Sequence, residues 1–360
     1  MGNSDHSNSQ IQKEIFQRVT RELQSDYGVL TNVVCGPLEI NCFSVCFWLT
    51  FVGKMGLKGV YVKIPKIILY NKENEKIIPF SYEEKKLAEQ EYDSLVHLSQ
   101  HWKSEDIRVQ FVKQLGFIEK YNAIVTERFY AKHFFQVFRQ RDLKRRIGKD
   151  PDVVHDVMSR LGMALSRFHQ TSVRECTFNS KNVILKMRNI CSELKSFGIE
   201  ENLIDSILHR LSDFNTLERR TYDVCTLKGF DVRQVFVDED GAVFLLDPGK
   251  MKTDYREMDL ARFIATCRIL YWGSIFFLFR LSPHYSYEKS FIDAYYGDNK
   301  RDDSILFLLT VKELLKHWRM AYSVLGFKQW PVPVKLFIRK IYIDPFYKVQ
   351  IFGELDKLEK

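Results

Sequence analysis

The sequence of 360 residues lacks several features that would assign it directly to a class of proteins. Its most apolar run, residues 269–279, is shorter than the about 20 residues that a membrane-spanning helix needs. The polar N-terminus, MGNSDHSNSQ, lacks the apolar core of a signal peptide, and His6 stands where N-myristoylation requires Ser or Thr. Internal repeats and low-complexity segments are also absent. We therefore expect a soluble protein.

The seven cysteines are odd in number and form no CxxC pair. A small secreted protein held together by disulfides is therefore not indicated. Reduced thiols in a cytoplasmic protein are the simplest interpretation. Cys42 and Cys46 have the same parity on a predicted strand, which favours packing over metal binding.

What the sequence does contain is typical of a globular protein, with 45% apolar, 14% aromatic and 28% charged residues. The chain is long enough for a large core and for two lobes or domains. Its formal net charge of +8 favours anionic ligands, although a charge excess often serves only solubility.

Hydrophobic periodicity divides the chain into a strand-rich half and a helical half. Apolar residues predict an amphipathic helix over 11–23, and β-branched and aromatic runs between 33 and 64 predict a three-stranded antiparallel meander. A helix over 81–102 begins with a predicted capping box, and two further strands are expected near 109–112 and 123–126. The later helices are predicted at about 153–168, 181–218, 257–280, 303–324 and 332–341, with a hairpin at 235–246. This order predicts an α+β fold.

The stretch LKGFDVRQVFVDEDGAVFLLDPGK, residues 227–250, contains the predicted hairpin. Asp240-Gly241 is a strong signal for a two-residue turn with positive φ at both positions. Such a turn places Gln234 and Asp247 directly opposite each other, about 5 Å apart at Cβ. An amide oxygen and a carboxylate oxygen suit Mg²⁺, which takes one or two protein oxygens together with phosphate oxygens and water. A solvated polar strand end is the alternative.

From about Thr31 to Phe263 the chain resembles the kinase-like phosphotransferases, specifically their aminoglycoside and choline kinase branch. That family has a His-Gly-Asp loop, an Asn five residues after the Asp, and a hairpin that ends in Asp-Phe-Gly. This chain has Leu227-Lys228-Gly229, then Gln234, then Asp247-Pro248-Gly249, and the step from 229 to 247 matches the family's spacing (247 − 229 = 18).

The resemblance implies a bilobal, protein-kinase-like α+β fold. An N-terminal extension would occupy 1–25, and an N-lobe with an antiparallel sheet plus a helix would occupy 26–127. A mostly helical C-lobe would occupy 128–360. The resemblance also implies ATP and Mg²⁺ as cofactors, with Gln234 and Asp247 as the metal ligands.

The resemblance assigns further roles in the family's order. Lys63, in Val60-Tyr61-Val62-Lys63, resembles the lysine that holds the nucleotide's α- and β-phosphates. Glu91 resembles the helix glutamate that pairs with it, and Glu84 and Glu89 are alternatives. The stretch 123–129 resembles the strand and hinge that bind adenine, which assigns Glu127 and Phe129 to the cofactor. Asp259 resembles the aspartate that braces the catalytic loop.

The catalytic loop departs from the family's pattern. Gly229 replaces the aspartate that accepts the proton of the substrate hydroxyl, Leu227 replaces the histidine, and Gln234 replaces the metal-binding Asn. Because phosphoryl transfer relies mostly on positioning and charge neutralisation, loss of the base is costly without being automatically fatal. Asp231 is a candidate carboxylate for orienting the acceptor hydroxyl, and closure of a local turn is its alternative role. The predicted phosphate-covering loop, 35–41, has only one glycine.

The class of acceptor is inferred from the length of the segment after Asp247 and from charge. Only twelve residues separate Asp247 from Asp259 (259 − 247 = 12), whereas protein kinases have a much longer segment there to dock a peptide. A small-molecule, glycan or lipid-linked acceptor is therefore favoured. Residues 131–149 contain seven Lys or Arg and one Asp, which suits an anionic acceptor or membrane surface, or simply a solvated helix face. The tail KLFIRKIYIDPFYKVQIF could lie on a membrane or pack against the helical lobe.

The leading hypothesis is a cytoplasmic ATP- and Mg²⁺-dependent phosphotransferase that acts on a hydroxyl of a sugar, glycan or lipid-linked acceptor. Peripheral contact with the inner membrane surface is a further expectation. The alternative is a catalytically inactive pseudokinase that serves as a binding or regulatory module. No motif that reads nucleic acid is recognised, so a nucleic-acid partner is not expected.

Overall fold

The computed structural model describes residues 2–41, 43–54, 56–67, 80–104, 106–137, 152–272, 284–298, 303–327 and 330–359. The chain divides into two compact units. The first contains Met1–Lys132 and Phe236–Met251, and the second contains His133–Val235 and Lys252–Lys360. The predicted lobe boundaries at residues 25 and 127 remain a prediction. Most of the basic stretch 131–149 lies outside the described residues.

The secondary structure of the described residues is mixed α and β, as predicted. The strands are β1 (Thr31–Cys35), β2 (Glu39–Ile40), β3 (Ser44–Gly53), β4 (Gly56–Pro65), β5 (Val109–Phe111), β6 (Gln114–Ile118), β7 (Ala123–Glu127), β8 (Lys132–His133), β9 (Arg174–Asn179), β10 (Glu218–Leu227), β11 (Val235–Val237), β12 (Val243–Leu245) and β13 (Met251–Tyr255). The helices are α1 (Gly2–Tyr27), α2 (Tyr82–His101), α3 (Asp152–Gln170), α4 (Ser180–Ser196), α5 (Glu201–Ser212), α6 (Glu257–Trp272), α7 (His284–Tyr296), α8 (Asp303–Phe327), α9 (Val332–Ile338) and α10 (Asp344–Leu358). A π-helical turn, Arg339–Ile343, joins α9 to α10. None of the helices within the described ranges is long and apolar enough to cross a lipid bilayer.

The first unit is built on an antiparallel sheet in the order β1-β3-β4-β7-β6, with β2 also paired to β3. Alternate residues of β3 and β4 point to one face, and the apolar ones there are buried. The amphipathic helix α1 covers this face. The shared core of the helix and these two strands contains Ile11, Ile15, Val19, Leu23, Val45, Phe47, Leu49, Phe51, Val60, Val62 and Ile64. The predicted helix and three-stranded meander are therefore confirmed, and the register of that sheet directs Lys63 to its other face.

Helix α2 begins with the capping box that the sequence predicts. The Ser81 hydroxyl accepts from the Glu84 N–H at 3.1 Å, and the Glu84 carboxylate accepts from the Ser81 N–H at 3.2 Å. Two of the N–H groups that a helix start leaves unpaired are satisfied in this way. Glu84 also accepts from the Lys66 ammonium at 3.0 Å, so its carboxylate is fully used at the helix start.

Two hairpin predictions are wrong in detail. The predicted phosphate-covering loop at 35–41 includes the end of β1 and the whole of β2, which follow each other along β3, with Cys35 opposite Leu49 and Glu39 opposite Cys46. The chain reverses only beyond Ile40.

The turn of the later hairpin also differs from the prediction. The Gly241 N–H donates to the Asp238 carbonyl oxygen, and the Asp238 N–H donates to that of Ala242. Of the two predicted turn residues, only Gly241 has positive φ (80°). This is a three-residue loop with a bulge at the glycine. It pairs residue 238 with residue 242, whereas the predicted two-residue turn would pair 239 with 242. The shift of one residue means that the hairpin register no longer places Gln234 directly opposite Asp247.

The second unit combines a helical core with a three-stranded sheet in the order β13-β10-β9. Helix α3 confirms the predicted helix at 153–168, and its apolar face is fully buried. The single helix predicted over 181–218 is instead α4 and α5, which are separated after Gly198, whose φ is 83°. Strands β9 and β10 flank this pair and were not predicted. Strand β10 leads directly into the predicted catalytic loop, since it ends at Leu227.

A substitution at Gly162 of α3 tests the close packing within the second unit. A Cβ at this position would lie 2.2 Å from the Phe291 carbonyl oxygen of α7, which is helix backbone and cannot move alone. We therefore expect Gly162→Ala to destabilise the protein by about 1–3 kcal/mol, the usual range for overpacking. Gly353→Ala is the matched control, because Gly353 is also helical but has open space around its Cβ position. It should be neutral or stabilising by up to about 1 kcal/mol. Thermal unfolding measures both, and equal melting temperatures would contradict the close approach.

Candidate active site

Lys63 of β4 is the centre of the candidate site in the first unit. Its ammonium donates to Glu91 Oε1 at 2.6 Å and to Asp247 Oδ2 at 2.6 Å. Glu91 lies on α2, and Asp247 follows β12. The structure therefore brings together three of the predicted site residues, which are far apart in the sequence.

The local structure explains why these side chains meet. Val62 and Ile64 point into the core beneath α1, so Lys63 points to the opposite face of the sheet. The buried residues of α2 recur at a spacing of three and four, at 84, 88, 91, 95 and 98, which places Glu91 on its inner face. Glu89 lies outside that stripe and makes only a surface pair with Lys85 at 3.7 Å. With Glu84 used at the helix start, Glu91 is the glutamate that pairs with Lys63.

The three charges strongly affect one another because they are largely shielded from water. Burial lowers the pKa of Lys63, but the carboxylates of Asp247 and Glu91 outweigh it and hold the pKa above its ordinary value. Burial and the charge of Asp247 raise the pKa of Glu91 to about 7, although Lys63 opposes the shift. Two carboxylates and one ammonium carry a net charge of −1 when all are ionised, so the cluster can accept a further cation.

The residues present fit a magnesium ion of the kind that phosphates help to hold. Asp247 Oδ1 accepts from the Gly249 N–H at 2.8 Å, and carboxylate oxygens are ligands that Mg²⁺ prefers. Within the described ranges, no group of three or more His, Cys, Asp or Glu side chains could bind a metal by itself. One or two protein oxygens completed by phosphate and water are the usual arrangement for Mg²⁺.

Gln234, the second predicted metal ligand, lies in the second unit. It ends a short 3₁₀ turn, Val232–Gln234, and its N–H donates to the Asp231 carbonyl oxygen at 3.0 Å. Its side chain is half-buried. Its assignment to the metal remains a prediction.

Asp231 is buried and bonded to its own loop. Oδ1 accepts from the Arg233 N–H at 2.8 Å and from Arg233 Nε at 3.0 Å, and Oδ2 accepts from an Arg233 terminal nitrogen at 2.7 Å. This is a bidentate arginine–carboxylate pair at the start of a 3₁₀ turn. The geometry favours the alternative role given above, closure of a local turn, over a carboxylate directed at an acceptor.

Asp259 anchors the backbone at Leu227, the first residue of the predicted catalytic loop. Its fully buried carboxylate accepts from the Leu227 N–H at 2.8 Å and from Arg262 at 2.8 Å, and His169 Nε2 lies 3.2 Å away. Arg262 also donates to the Leu227 carbonyl oxygen. Both backbone polar groups of Leu227 are therefore fixed, although the residue has no side chain able to do acid–base chemistry.

The predicted adenine-binding residues form ordered packing contacts within the first unit. The Glu127 N–H donates to the Lys113 carbonyl oxygen at 2.8 Å, as part of the sheet edge. The Phe129 ring stacks on Phe244 with centroids 4.7 Å apart, and meets Phe236 edge-on at 5.6 Å. These contacts join the segment after β7 to the hairpin.

Sequence reasoning missed an aromatic layer on the same sheet face as Lys63. Trp48 of β3 lies directly opposite Tyr61 of β4, two residues before Lys63. The Trp48 ring packs so closely on Gly36 that a Cβ there would lie 2.2 Å from it. The Arg128 guanidinium lies 4.1 Å from the centroid of the Trp48 ring, a cation–π distance. The signal available was parity, since 61 and 63 must point to the same side of a strand.

Neither the family models nor the curated proteins contain a match to this sequence. Solved structures do match. A glucosamine kinase in complex with glucosamine, ADP and inorganic phosphate has a TM-score of 0.54 and 13% identity, covering 91% of this chain and 82% of its own. The chain has the kinase-like phosphotransferase fold.

Two further structures with this kinase-like fold match along almost their whole length. The spectinomycin phosphotransferase APH(9)-Ia, with ADP and spectinomycin, has a TM-score of 0.51 and 12% identity, covering 94% of this chain and 98% of its own. The macrolide 2′-phosphotransferase MphH from Brachybacterium faecium has a TM-score of 0.52 and 13% identity, covering 91% and 98%. At such identities the likeness concerns the fold. The α+β, kinase-like fold predicted from the sequence is thereby confirmed.

Removal of the Asp259 carboxylate tests the brace beneath the catalytic loop. We expect Asp259→Ala to lower the free energy of unfolding by about 3–5 kcal/mol, because the buried Arg262 would lose the carboxylate that it pairs with. The matched control is Asp205→Ala, which removes an exposed pair with Lys195 at 2.7 Å and should cost less than about 1 kcal/mol. Urea unfolding measures both variants. A similar small loss in both would show that Asp259 does not support the loop.

Proposed function

We propose that the protein is an ATP- and Mg²⁺-dependent phosphotransferase whose acceptor is a hydroxyl of a sugar, a glycan or a lipid-linked molecule. The observation that carries this proposal is the Lys63 ammonium, 2.6 Å from both Glu91 and Asp247. An ammonium beside a metal-binding carboxylate is the arrangement that ATP phosphates and their Mg²⁺ require. The presence of ADP in the glucosamine kinase and spectinomycin phosphotransferase structures supports a nucleotide as the ligand.

In this proposal the residues have separate tasks. Lys63 binds the α- and β-phosphates, and Glu91 holds the Lys63 side chain in place. Asp247, with Gln234 as a second oxygen ligand, holds Mg²⁺. When bound, the metal neutralises charge on the transferred phosphoryl group. The backbone near Glu127 and the Phe129 ring border the adenine.

The acceptor is the least constrained part of the proposal. The solved structures of this fold are named for glucosamine, spectinomycin and a macrolide, which supports a small-molecule acceptor. The net charge of +8 favours an anionic one. A lipid-linked acceptor would be reached by a cytoplasmic protein in peripheral contact with the inner membrane surface.

A pseudokinase is the second candidate, and three observations favour it. Gly229 and Leu227 leave the catalytic loop without the usual base and histidine. The carboxylate of Asp231 is bonded to Arg233. The sheet face beside Lys63 carries Trp48 and Tyr61, which are bulky neighbours for a purine ring. Such a protein would bind a partner or regulate a pathway without transferring phosphate.

Nucleotide binding tests the premise that the proposed phosphotransferase binds ATP together with Mg²⁺. The wild type should bind ATP more tightly with Mg²⁺ than without it, measured by titration calorimetry. Asp247→Ala should weaken the Mg²⁺-dependent affinity about ten-fold or more, which is about 1.4 kcal/mol. Asp240→Ala changes an exposed carboxylate of the same hairpin and is the control. Absence of ATP binding, or binding that Asp247→Ala leaves untouched, would overturn the proposal.

Turnover separates the two roles of Asp231. If its carboxylate orients the acceptor, Asp231→Asn should abolish ADP release on a panel of sugars and lipid-linked glycans, with little change in ATP affinity. Arg233→Ala removes the ion pair but leaves the carboxylate, so it should retain turnover. Equal losses in both variants, accompanied by equal losses of thermal stability, would assign Asp231 to the turn alone. Full activity in Asp231→Asn would remove it from the mechanism.

A further inference from the structure

The segment around α9 exposes an unusual number of large apolar side chains. Helix α9 has no buried residue. Six apolar side chains, with exposed fractions between 43% and 68%, form what we call the apolar strip: Trp330, Val332, Val334, Leu336, Phe337 and Ile341. Exposed apolar residues are common singly, but a contiguous group of this kind marks a surface that binds something.

The strip lies on a segment that is firmly attached to the second unit. Arg339 donates to the Phe197 carbonyl oxygen at 2.6 Å, and its guanidinium lies 4.2 Å from the centroid of the Tyr322 ring. Asp344 accepts from Trp318 at 3.0 Å and from Tyr322 at 2.7 Å. Helix α10, which follows, buries Phe346, Tyr347, Ile351 and Leu355 and exposes Val349. Large exposed apolar side chains are therefore concentrated in the strip.

The positions within the strip suit a flat apolar surface. Val334, Phe337 and Ile341 are three and four residues apart, which places them along one side of the helical segment. Trp330 immediately precedes this segment, and tryptophan is the residue most favoured at the boundary between water and hydrocarbon. A helix that lies in a membrane interface has this combination of apolar and aromatic side chains.

The charged residues within the segment that carries the strip are all basic. Residues 330–343 contain Lys335, Arg339 and Lys340 and no Asp or Glu. The first carboxylate after the strip, Asp344, is bonded to Trp318 and Tyr322. Lys340 and Lys348 are exposed. A partner for this surface must therefore tolerate apolar contact and carry negative charge, whereas a second copy of the strip would bring like charges together.

We propose that the apolar strip docks the protein onto an anionic lipid surface, with Val334, Phe337 and Ile341 entering the headgroup boundary and the lysines contacting lipid phosphates. This inference deepens the proposed function, because it places the phosphotransferase where lipid-linked acceptors are found. Only the purpose of lipid binding rests on the proposed function; the binding itself does not. Docking is measurable without nucleotide, so its failure and the failure of ATP binding are distinguishable.

Vesicle sedimentation tests the proposal with the full chain. The wild type should sediment with mixed vesicles of phosphatidylcholine and phosphatidylglycerol, and much less with vesicles of pure phosphatidylcholine. Sedimentation with the mixed vesicles should decrease as the salt concentration is raised. The double variant Phe337→Ser/Ile341→Ser should lose binding at least about ten-fold, since two of the largest apolar contacts are removed. The matched control is Val173→Ser/Leu185→Ser, which changes two exposed apolar side chains outside the strip (47% and 55% exposed) and should bind as the wild type does.

A charge variant separates the lipid phosphate contact from apolar contact. Lys340→Gln should weaken binding to the anionic vesicles about five-fold, corresponding to about 1 kcal/mol per lysine. Lys186→Gln, an exposed lysine of α4, should have no effect. Circular dichroism confirms that each variant is folded, which is expected because the changed side chains are exposed.

Three results would overturn the proposal. The first is wild-type protein that remains in solution with both kinds of vesicle. The second is equal binding to neutral and anionic vesicles, or equal loss in the strip variant and its control. The third is self-association without lipid that the strip variant abolishes, seen by light scattering, because the strip would then be an interface between copies of this chain.

Discussion

The ion pairs of Lys63 are the interaction on which the chemistry of the first unit depends. One ammonium joins a sheet, a helix and the end of a hairpin, through Glu91 28 residues away and Asp247 184 residues away. Partial burial makes each charge costly without its partners, so the three side chains constrain one another's positions. The capping box of α2 and the alternation of β4 serve this arrangement, because they fix which face of each element the charged side chain occupies.

In the second unit, the backbone of the predicted catalytic loop is well supported, but the loop lacks the side chains that the family uses for acid–base chemistry. Asp259 and Arg262 bond both backbone polar groups of Leu227, and His169 lies against the Asp259 carboxylate. The side chains that this support would position are a leucine and a glycine. The remaining carboxylate, Asp231, is bound to Arg233.

The residues of the candidate site that could be predicted are those whose placement follows from local periodicity. Lys63 follows from strand alternation, and Glu91 from the helical spacing of α2. The hairpin register could not be predicted, because Asp-Gly serves both a two-residue turn and a bulged three-residue one, and the choice depends on how Asp238 is bonded. The pairing of Asp231 with Arg233 was hidden for a similar reason, since two residues in one turn can point in many directions. Strands β9 and β10 were missed because polar residues interrupt their alternation.

The contact between Gly36 and Trp48 links two sequence positions that are twelve residues apart (48 − 36 = 12). Any side chain at 36 would occupy space that the indole ring already fills, and a displaced ring would lose its contact with Arg128. The two positions can therefore change only together: a larger residue at 36 requires a smaller one at 48. Among natural or engineered variants of this chain, the residue types at positions 36 and 48 would therefore covary.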